Sequence, residues 1–442
     1  MSHAGVFPAG PRPGTARAAL AHRDFRLVWF GAFASNIGTW IQNVSLPAYI
    51  DARTGSGAMV GLLVFAQLGP VLLLAIPAGI LADKLPRRGW LVTLQLVQIV
   101  FSLVLAAMVA ADSPVWALMV ANAGVGSAFA LTAPVLQASM PMLVGREDLA
   151  GAVSLNSTMM NGSRVIGPVV AGVLATWGVT AAQLLVVNAA TYLFMVAALL
   201  AVHIPTVAGD HPERGWRQVL TGVRIARERP IIGRLLVAMA LFSFFCLPYV
   251  GLFPTVTRLN FGIDPTSNTY QWLYASWGLG ACLGALAIGT VFARVDKRRL
   301  VPVGFVGFAV SLTAFALIRS PGPAFVAGFV LGAFYFGTAT SMVTVVQATV
   351  TDNERARVMA LWFMAFGGTV PLGNILFGPV IDAIGARWVL LGGAVFALVL
   401  AWWTDLPRLT RAGRSASEQP RGDVLESGDA ASFDEHGVIA GE

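Results

Sequence analysis

Three sets of residues carry groups able to do chemistry. The first is Gly79-Ile80-Leu81-Ala82-Asp83-Lys84-Leu85-Pro86-Arg87-Arg88, one acid and three bases between two long apolar runs. The second is Arg164, an ionisable group inside an otherwise apolar stretch, with Ser157, Asn161 and Pro168 on the same helix face by 4-3-4 spacing. The third is a polar stripe, Asn36, Thr39, Trp40, Asn43 and Pro47, recurring at helical intervals. Such groups hold ions or the polar part of a solute; they do not form a bond-breaking constellation. The five His fall in tails or at helix ends, and no His-Glu-x-x-His occurs. Cys246 and Cys282 lie in apolar runs and read as packing residues. No enzyme, cofactor or metal site is expected.

The elements that position these residues follow from composition. Of 442 residues, 56% are hydrophobic and 12% charged, with mean hydropathy +0.73. Soluble domains carry about 25% charge, so the chain is an all-α membrane protein. At roughly 20 apolar residues per span there is room for twelve transmembrane helices. Strand alternation is absent, which excludes an outer-membrane barrel. The apolar runs place helices 1 to 6 at about 27–50, 58–82, 90–111, 115–143, 150–176 and 181–204. Helices 7 to 12 follow at about 231–257, 269–293, 300–318, 323–348, 356–384 and 387–405.

These helices divide the chain. Residues 1–26 form a basic cytoplasmic tail with no cleavable leader. Residues 27–204 are a first six-helix bundle, and 205–230 a basic cytoplasmic linker. Residues 231–405 are a second six-helix bundle, and 406–442 a polar tail expected to be disordered. Within the linker, Trp216, Val219, Val223, Ile225 and Ala226 have the spacing of a short amphipathic helix on the inner membrane surface; a solvated basic linker is the alternative. Of the 29 Lys and Arg, Arg53, Arg258, Arg319 and Arg387 fall outside and Arg164 within a span; the other 24 are cytoplasmic. Both termini are therefore inside. The net charge of +7 faces anionic lipid rather than nucleic acid.

The chain also repeats itself. A shift of 210 residues lays Gly79 on Gly289, Lys84 on Arg294, Arg87 on Lys297 and Arg88 on Arg298, while Asp83 meets Ala293. The same shift lays Gln137-Ala138-Ser139 on Gln347-Ala348-Thr349, and Gly167-Pro168 falls one residue from Gly378-Pro379. Two halves related by an axis along the membrane normal are expected.

The loop at 79–88 resembles the Gly-x-x-x-Asp-Arg/Lys-x-Gly-Arg-Arg/Lys signature between helices 2 and 3 of the major facilitator superfamily, with Pro86 replacing the second glycine. Phe25-Arg26-Leu27-Val28-Trp29, Thr54-Gly55-Ser56 and Asn161-x-x-Arg164-x-x-Gly167-Pro168 resemble its bacterial efflux branch, which includes enterobactin and macrolide exporters. Gly162, Gly167, Pro168 and Gly172 resemble the helix 5 antiporter motif of drug exporters. In that branch an acid often follows the helix 1 glycine; here Thr39 follows Gly38.

The resemblance implies a major facilitator fold and a gate formed by Gly79, Asp83, Lys84, Arg87 and Arg88. Asp83 at the end of helix 2 is expected to cap the start of helix 11 near Glu354 to Val358. Arg164, Asn161, Asn36, Thr39, Asn43, Asn122, Gln137 and Gln347 are the candidate substrate or ion cavity. Arg164 either handles substrate or bonds carbonyls structurally. Pro168 removes a backbone donor, giving a kink alone or one that also shapes alternating access. Helices 1 and 4 offer no mid-membrane acid, which leaves Asp83 and Asp382 as proton sites, although Asp382 also reads as a surface acid. Among the aromatics of the second half, Phe242, Phe244, Phe245, Tyr249, Trp277, Phe334, Tyr335, Trp362 and Phe366, most are expected in the core and a subset at an apolar site. The function expected is a monomeric secondary transporter in the bacterial inner membrane. It would export amphipathic small molecules, drugs or siderophore-like metabolites, by proton antiport. A lipid flipper or an uptake symporter is the alternative.

Overall fold

The computed structural model describes residues 12–84, 86–204 and 216–405. Helices 1 to 6 are Arg23–Thr54, Gly57–Lys84, Arg87–Ala110, Val115–Ser139, Leu149–Thr176 and Ala181–Ala201. Helix 7 comes in three pieces, Pro230–Phe245, Pro248–Gly251 and Phe253–Phe261. Helices 8, 9, 10 and 12 are Asn268–Gly289, Lys297–Leu317, Pro321–Thr349 and Ala386–Trp403. Helix 11 runs from Asp352 to Ile384 and widens into a π turn at Met364–Gly368. Because each helix returns antiparallel to the last, one end of the molecule holds the starts of helices 1 and 7 and the ends of 6 and 12. We call this the termini face and the other the far face.

Nine helices among the described residues are long and apolar enough to cross a membrane on their own. Helices 1, 5 and 7 are not among them. Helices 1 and 5 are too polar, carrying the stripe and Arg164. Helix 7, expected as one span over 231–257, is cut because Pro248 and Pro254 cannot donate to the preceding turn. The helices that fail a simple apolarity test are thus those with a constrained or polar face. The rest form the hydrophobic frame around them.

The halves are built differently inside. In the first half a buried amide network ties five helices together. Gln42 donates to Asn122 Oδ1 at 3.1 Å, and Asn188 donates to Gln42 Oε1 at 2.7 Å and to Ser102 Oγ at 3.3 Å. Asn122 also donates to the Leu63 carbonyl at 3.2 Å. Between membrane helices such bonds contribute about 0.6 kcal/mol each. In the second half aromatic rings fill the same space. Phe242 packs edge-on to Phe305 and Phe308 at 5.2 and 4.9 Å, and Trp277 donates to the Tyr249 hydroxyl at 3.1 Å.

One further segment differs from the sequence expectation, and the linker takes the helical one of its two expected forms. Helix 1 begins at Arg23, and Ala16–Ala21 ahead of it is a short helix capped by Thr15, so the segment before 27 is not wholly a tail. The linker residues Trp216–Glu228 are helical and meet helix 7 at 118°. This helix packs on the start of helix 11, where a Cβ on Gly222 would lie 2.9 Å from the Arg357 carbonyl. Residues 205–215 and 406–442 lie outside the described residues.

Candidate translocation site

The two halves meet along helices 2 and 11 and along helices 5 and 8. The 210-residue repeat makes helix 8 the counterpart of helix 2, and helix 11 that of helix 5, so these are two copies of one contact. Small residues permit both. A Cβ on Gly61 would collide with the Asn374 carbonyl, and one on Gly57 would lie 3.0 Å from the Gly378 carbonyl. Across the other pair, a Cβ on Gly278 would lie 3.0 Å from the Arg164 carbonyl, and one on Gly172 would lie 3.3 Å from Gln271 Cβ.

Arg164 lies in the middle of helix 5 between these contacts. Its Cζ is 4.8 Å from the Trp40 ring centre and 4.1 Å from that of Phe336. One ring belongs to each half. Gly167, one turn on, holds helix 1 close: a Cβ there would be 2.5 Å from Trp40 Cβ and 2.9 Å from the Ile37 carbonyl. Helix 5 stays helical through Pro168. Arg164 Nε and Nη1 are sealed from solvent and have no hydrogen-bond partner. The alternative that Arg164 bonds backbone carbonyls therefore fails for those two nitrogens. Tyr274, Tyr335 and Cys282 are its titratable neighbours.

The polar stripe is only partly a cavity wall. Asn36 donates to its own Ala32 carbonyl at 2.8 Å, and Thr39 to Ser35 O at 3.0 Å with the Tyr192 hydroxyl at 3.3 Å. Asn43 accepts from Gln67 at 2.6 Å, joining helices 1 and 2. Asn161 donates to the Ser157 carbonyl at 2.9 Å. Asn122 is fully buried in the amide network and lines no cavity, because helix 4 turns that residue toward helices 1 and 2. Gly162 has open space beyond Phe33, whose ring is the nearest neighbour a Cβ would have, at 3.6 Å. Toward the termini face Gln137, Ser157 and Gln347 are all exposed.

The far face is shut by ionic contacts between the halves. Asp51 at the end of helix 1 is fully buried. It accepts from Arg258 Nε at 2.7 Å, Arg258 Nη2 at 3.1 Å and the Thr255 hydroxyl at 2.6 Å, all from helix 7. Arg258 also donates to the Gly55 carbonyl at 2.9 Å, in the turn where Gly55 takes a φ of 63°. Asp382 near the end of helix 11 caps helix 2. It accepts from the Gly57 N–H at 2.7 Å, the Ala58 N–H at 2.9 Å and the Ser56 hydroxyl at 2.8 Å. It is exposed, as the sequence suggested for a surface acid, and is tied to the start of helix 2.

At the termini face the motif residues are partly described. Arg87 is buried, and Arg88 donates to the Leu200 carbonyl at 2.5 Å. The side chains of Gly79, Asp83 and Lys84 lie outside the described residues. The start of helix 11 carries its own cap, in which Thr351 and Glu354 bond reciprocally. Arg229 holds this corner through the Thr349 carbonyl at 2.8 Å and Glu354 Oε1 at 3.1 Å. The Thr351 backbone N–H first, then its hydroxyl, and more weakly the Arg229 charge hold the Glu354 carboxyl below its usual range.

Sequence reasoning missed Asp51, Thr255, Arg258 and Phe336 as site residues. Asp51 and Arg258 had a usable signal. They lie at the ends of helices 1 and 7, which the repeat makes counterparts, and carry opposite charge.

Twelve helices in two related halves, joined along 2·11 and 5·8 around a polar centre, define a membrane transporter of the major facilitator fold. The nucleoside transporter NupG matches with a TM-score of 0.71 at 16% identity, over 86% of this chain and 98% of that one. A bacterial homologue of the human lysosomal transporter Spinster, solved inward-facing and unoccupied, matches with a TM-score of 0.70 at 15% identity, over 88% and 98%. Residues 14–428 match the family described as transmembrane secretion effector, and the chain belongs to that family within the major facilitator superfamily. Among its relatives, macrolide efflux protein A of Streptococcus pyogenes is 25% identical over 396 residues, 85% of this chain and 94% of that protein. The enterobactin exporter EntS of Salmonella typhimurium is 25% identical over 351 residues, 77% and 81%. The protein is a multi-pass membrane transporter of small molecules and not an enzyme.

Proposed function

We propose that the protein exports amphipathic small molecules by alternating access, driven by proton antiport across the bacterial inner membrane. The observation that carries this reading is the asymmetry of the central site. The far face is closed by Asp51, Arg258 and Asp382, while Gln137, Ser157 and Gln347 stand exposed toward the termini face. The basic residues orient the termini face toward the cytoplasm, so the site is in its loading position. Two relatives are named for macrolide efflux and enterobactin export, which favours a drug or siderophore-like metabolite. The whole site lies within one chain, which suits a monomer.

In this reading Asp83 latches the cytoplasmic side once the far face opens, with Gly79, Lys84, Arg87 and Arg88 shaping the loop. Asp83 and Asp382 are the acids assigned to coupling. The test is uptake into inside-out vesicles of amphipathic dyes and macrolides, energised by respiration. Uptake that a protonophore stops supports antiport. Movement indifferent to the gradient removes antiport and leaves a facilitator. Net import by intact cells overturns export.

A further inference from the structure

The environment of Arg164 narrows the substrate to a charge class; this inference rests on the export reading and deepens it. A guanidinium is a flat cation with two faces and a donor edge. In this site the guanidinium carbon lies 4.8 Å from the Trp40 ring centre and 4.1 Å from that of Phe336, so its charge is met by aromatic π-faces. Nε and Nη1 are sealed from solvent and make no hydrogen bond to any described residue. The edge is where a hydrogen-bond acceptor is missing. A partner must therefore approach in the guanidinium plane and be an acceptor, because Arg offers donors only.

The charge count excludes the opposite class. Every described Asp and Glu lies at a helix end or in a loop: Asp51 is bound by Arg258, Asp382 by the start of helix 2, Asp148 by His22 and Gly14, and Glu354 by Thr351 and Arg229. None of them faces Arg164, whose titratable neighbours, Tyr274, Tyr335 and Cys282, are neutral at pH 7. A cationic amphiphile would add a second positive charge to a site with no described counter-charge. A dianion would leave one charge uncompensated in a low-dielectric wall of rings. A monoanion fits, and a carboxylate matches either donor edge, Nη2 with Nε or Nη2 with Nη1, with two parallel bonds.

We propose that Arg164 with Trp40 and Phe336 forms a carboxylate-binding site, and that the transported molecules are monoanionic amphiphiles whose apolar body lies among the aromatic residues of the second half. Trp40 and Phe336 come from opposite halves.

Three probes sharing one body test this: 2-naphthylacetate, 2-naphthylacetamide and 2-naphthylethylammonium. Their binding to the purified full-length protein is measured by calorimetry. The carboxylate is expected to bind about tenfold or more tightly than the amide, with the ammonium weakest. Arg164→Met is expected to abolish the preference while amide binding persists, which shows that the variant is folded. Arg164→Lys is expected to keep a reduced preference because the planar fork is gone. Equal binding of carboxylate and amide, ammonium binding tightest, or a preference surviving in Arg164→Met overturns the proposal. If amide and carboxylate bind and are pumped equally, the charge class falls while export stands. If the carboxylate binds as expected but inside-out vesicles never accumulate it, export falls while the site stands.

Discussion

The far-face closure rests most heavily on Asp51, and its removal has a calculable consequence. Asp51 has no exposed surface and receives three hydrogen bonds from helix 7, two from Arg258 and one from Thr255. Removing one partner of a buried ion pair costs about 3–5 kcal/mol. Arg258 keeps 28% of its side chain exposed, so water recovers part of its solvation and the loss falls below that range, to about 2–3 kcal/mol for Asp51→Asn. In a far-open state Arg258 is hydrated whatever residue stands at 51. The loss therefore falls on the closed state alone, and the open-to-closed ratio should rise roughly 30- to 150-fold.

The assay is pulsed electron paramagnetic resonance between spin labels at Trp116→Cys and Ser320→Cys, exposed far-face positions in opposite halves, with Cys246 and Cys282 replaced. The parent should give one short distance, and Asp51→Asn a second, longer population. Arg258→Leu combined with Asp51→Asn should lose less than the sum of the two single changes, because neither leaves a stranded charge. Unchanged distances in Asp51→Asn, or strict additivity in the double variant, refutes the ionic closure.

Other outcomes follow from the same contacts. Asp382→Asn removes a cap that receives two backbone N–H groups and should shift the same distance distribution by about 1–2 kcal/mol, roughly 5- to 30-fold. Gly126→Val presses a side chain into the Gln67 carbonyl; it should cost about 1–3 kcal/mol and lower the melting temperature of the solubilised protein. His22→Ala should free the short helix Ala16–Ala21 and raise the rate of tryptic cleavage at exposed Arg17 about fivefold. The hydrogen bond from His22, then the Gly14 N–H, hold the Asp148 carboxyl below its usual range. Its stabilising contribution should therefore be complete above about pH 4 and fall away as pH drops through the lowered value, read by hydrogen exchange at residues 14–21.

Much of the frame was legible because lipid imposes strong rules. Apolar runs gave the helices within a few residues, and the repeat gave two halves. Chain pairing across those halves was less legible. Asn122 reads as a cavity residue because a polar group in lipid must face protein or water; sequence cannot tell these apart, and here protein supplied Gln42 and the Leu63 carbonyl. The capping role of Asp382 was not legible because two of its three partners are backbone N–H groups, which leave no trace in residue types. Phe336 was passed over because the second half is rich in rings and only the fold says which one covers Arg164.

The repeat also explains where polarity is placed. Each half contributes one helix of the 2·11 and 5·8 pairs, so the two contacts began as equivalents. They have diverged in opposite directions. Along 5·8 the centre keeps a cation, Arg164, whose carbonyl faces Gly278. Along 2·11 the counterpart of Arg164 under the repeat is the neutral Asn374, which donates to the Val370 carbonyl; helix 11 carries its π turn at Met364–Gly368, before that position, and its acid, Asp382, beyond it. A π turn adds a residue to the helix and offsets every later side chain, which brings Asp382 to the first N–H groups of helix 2. In the proposed reading one copy of this contact holds the solute's charge while the other latches the exit. A single rocking motion of the halves necessarily disturbs both.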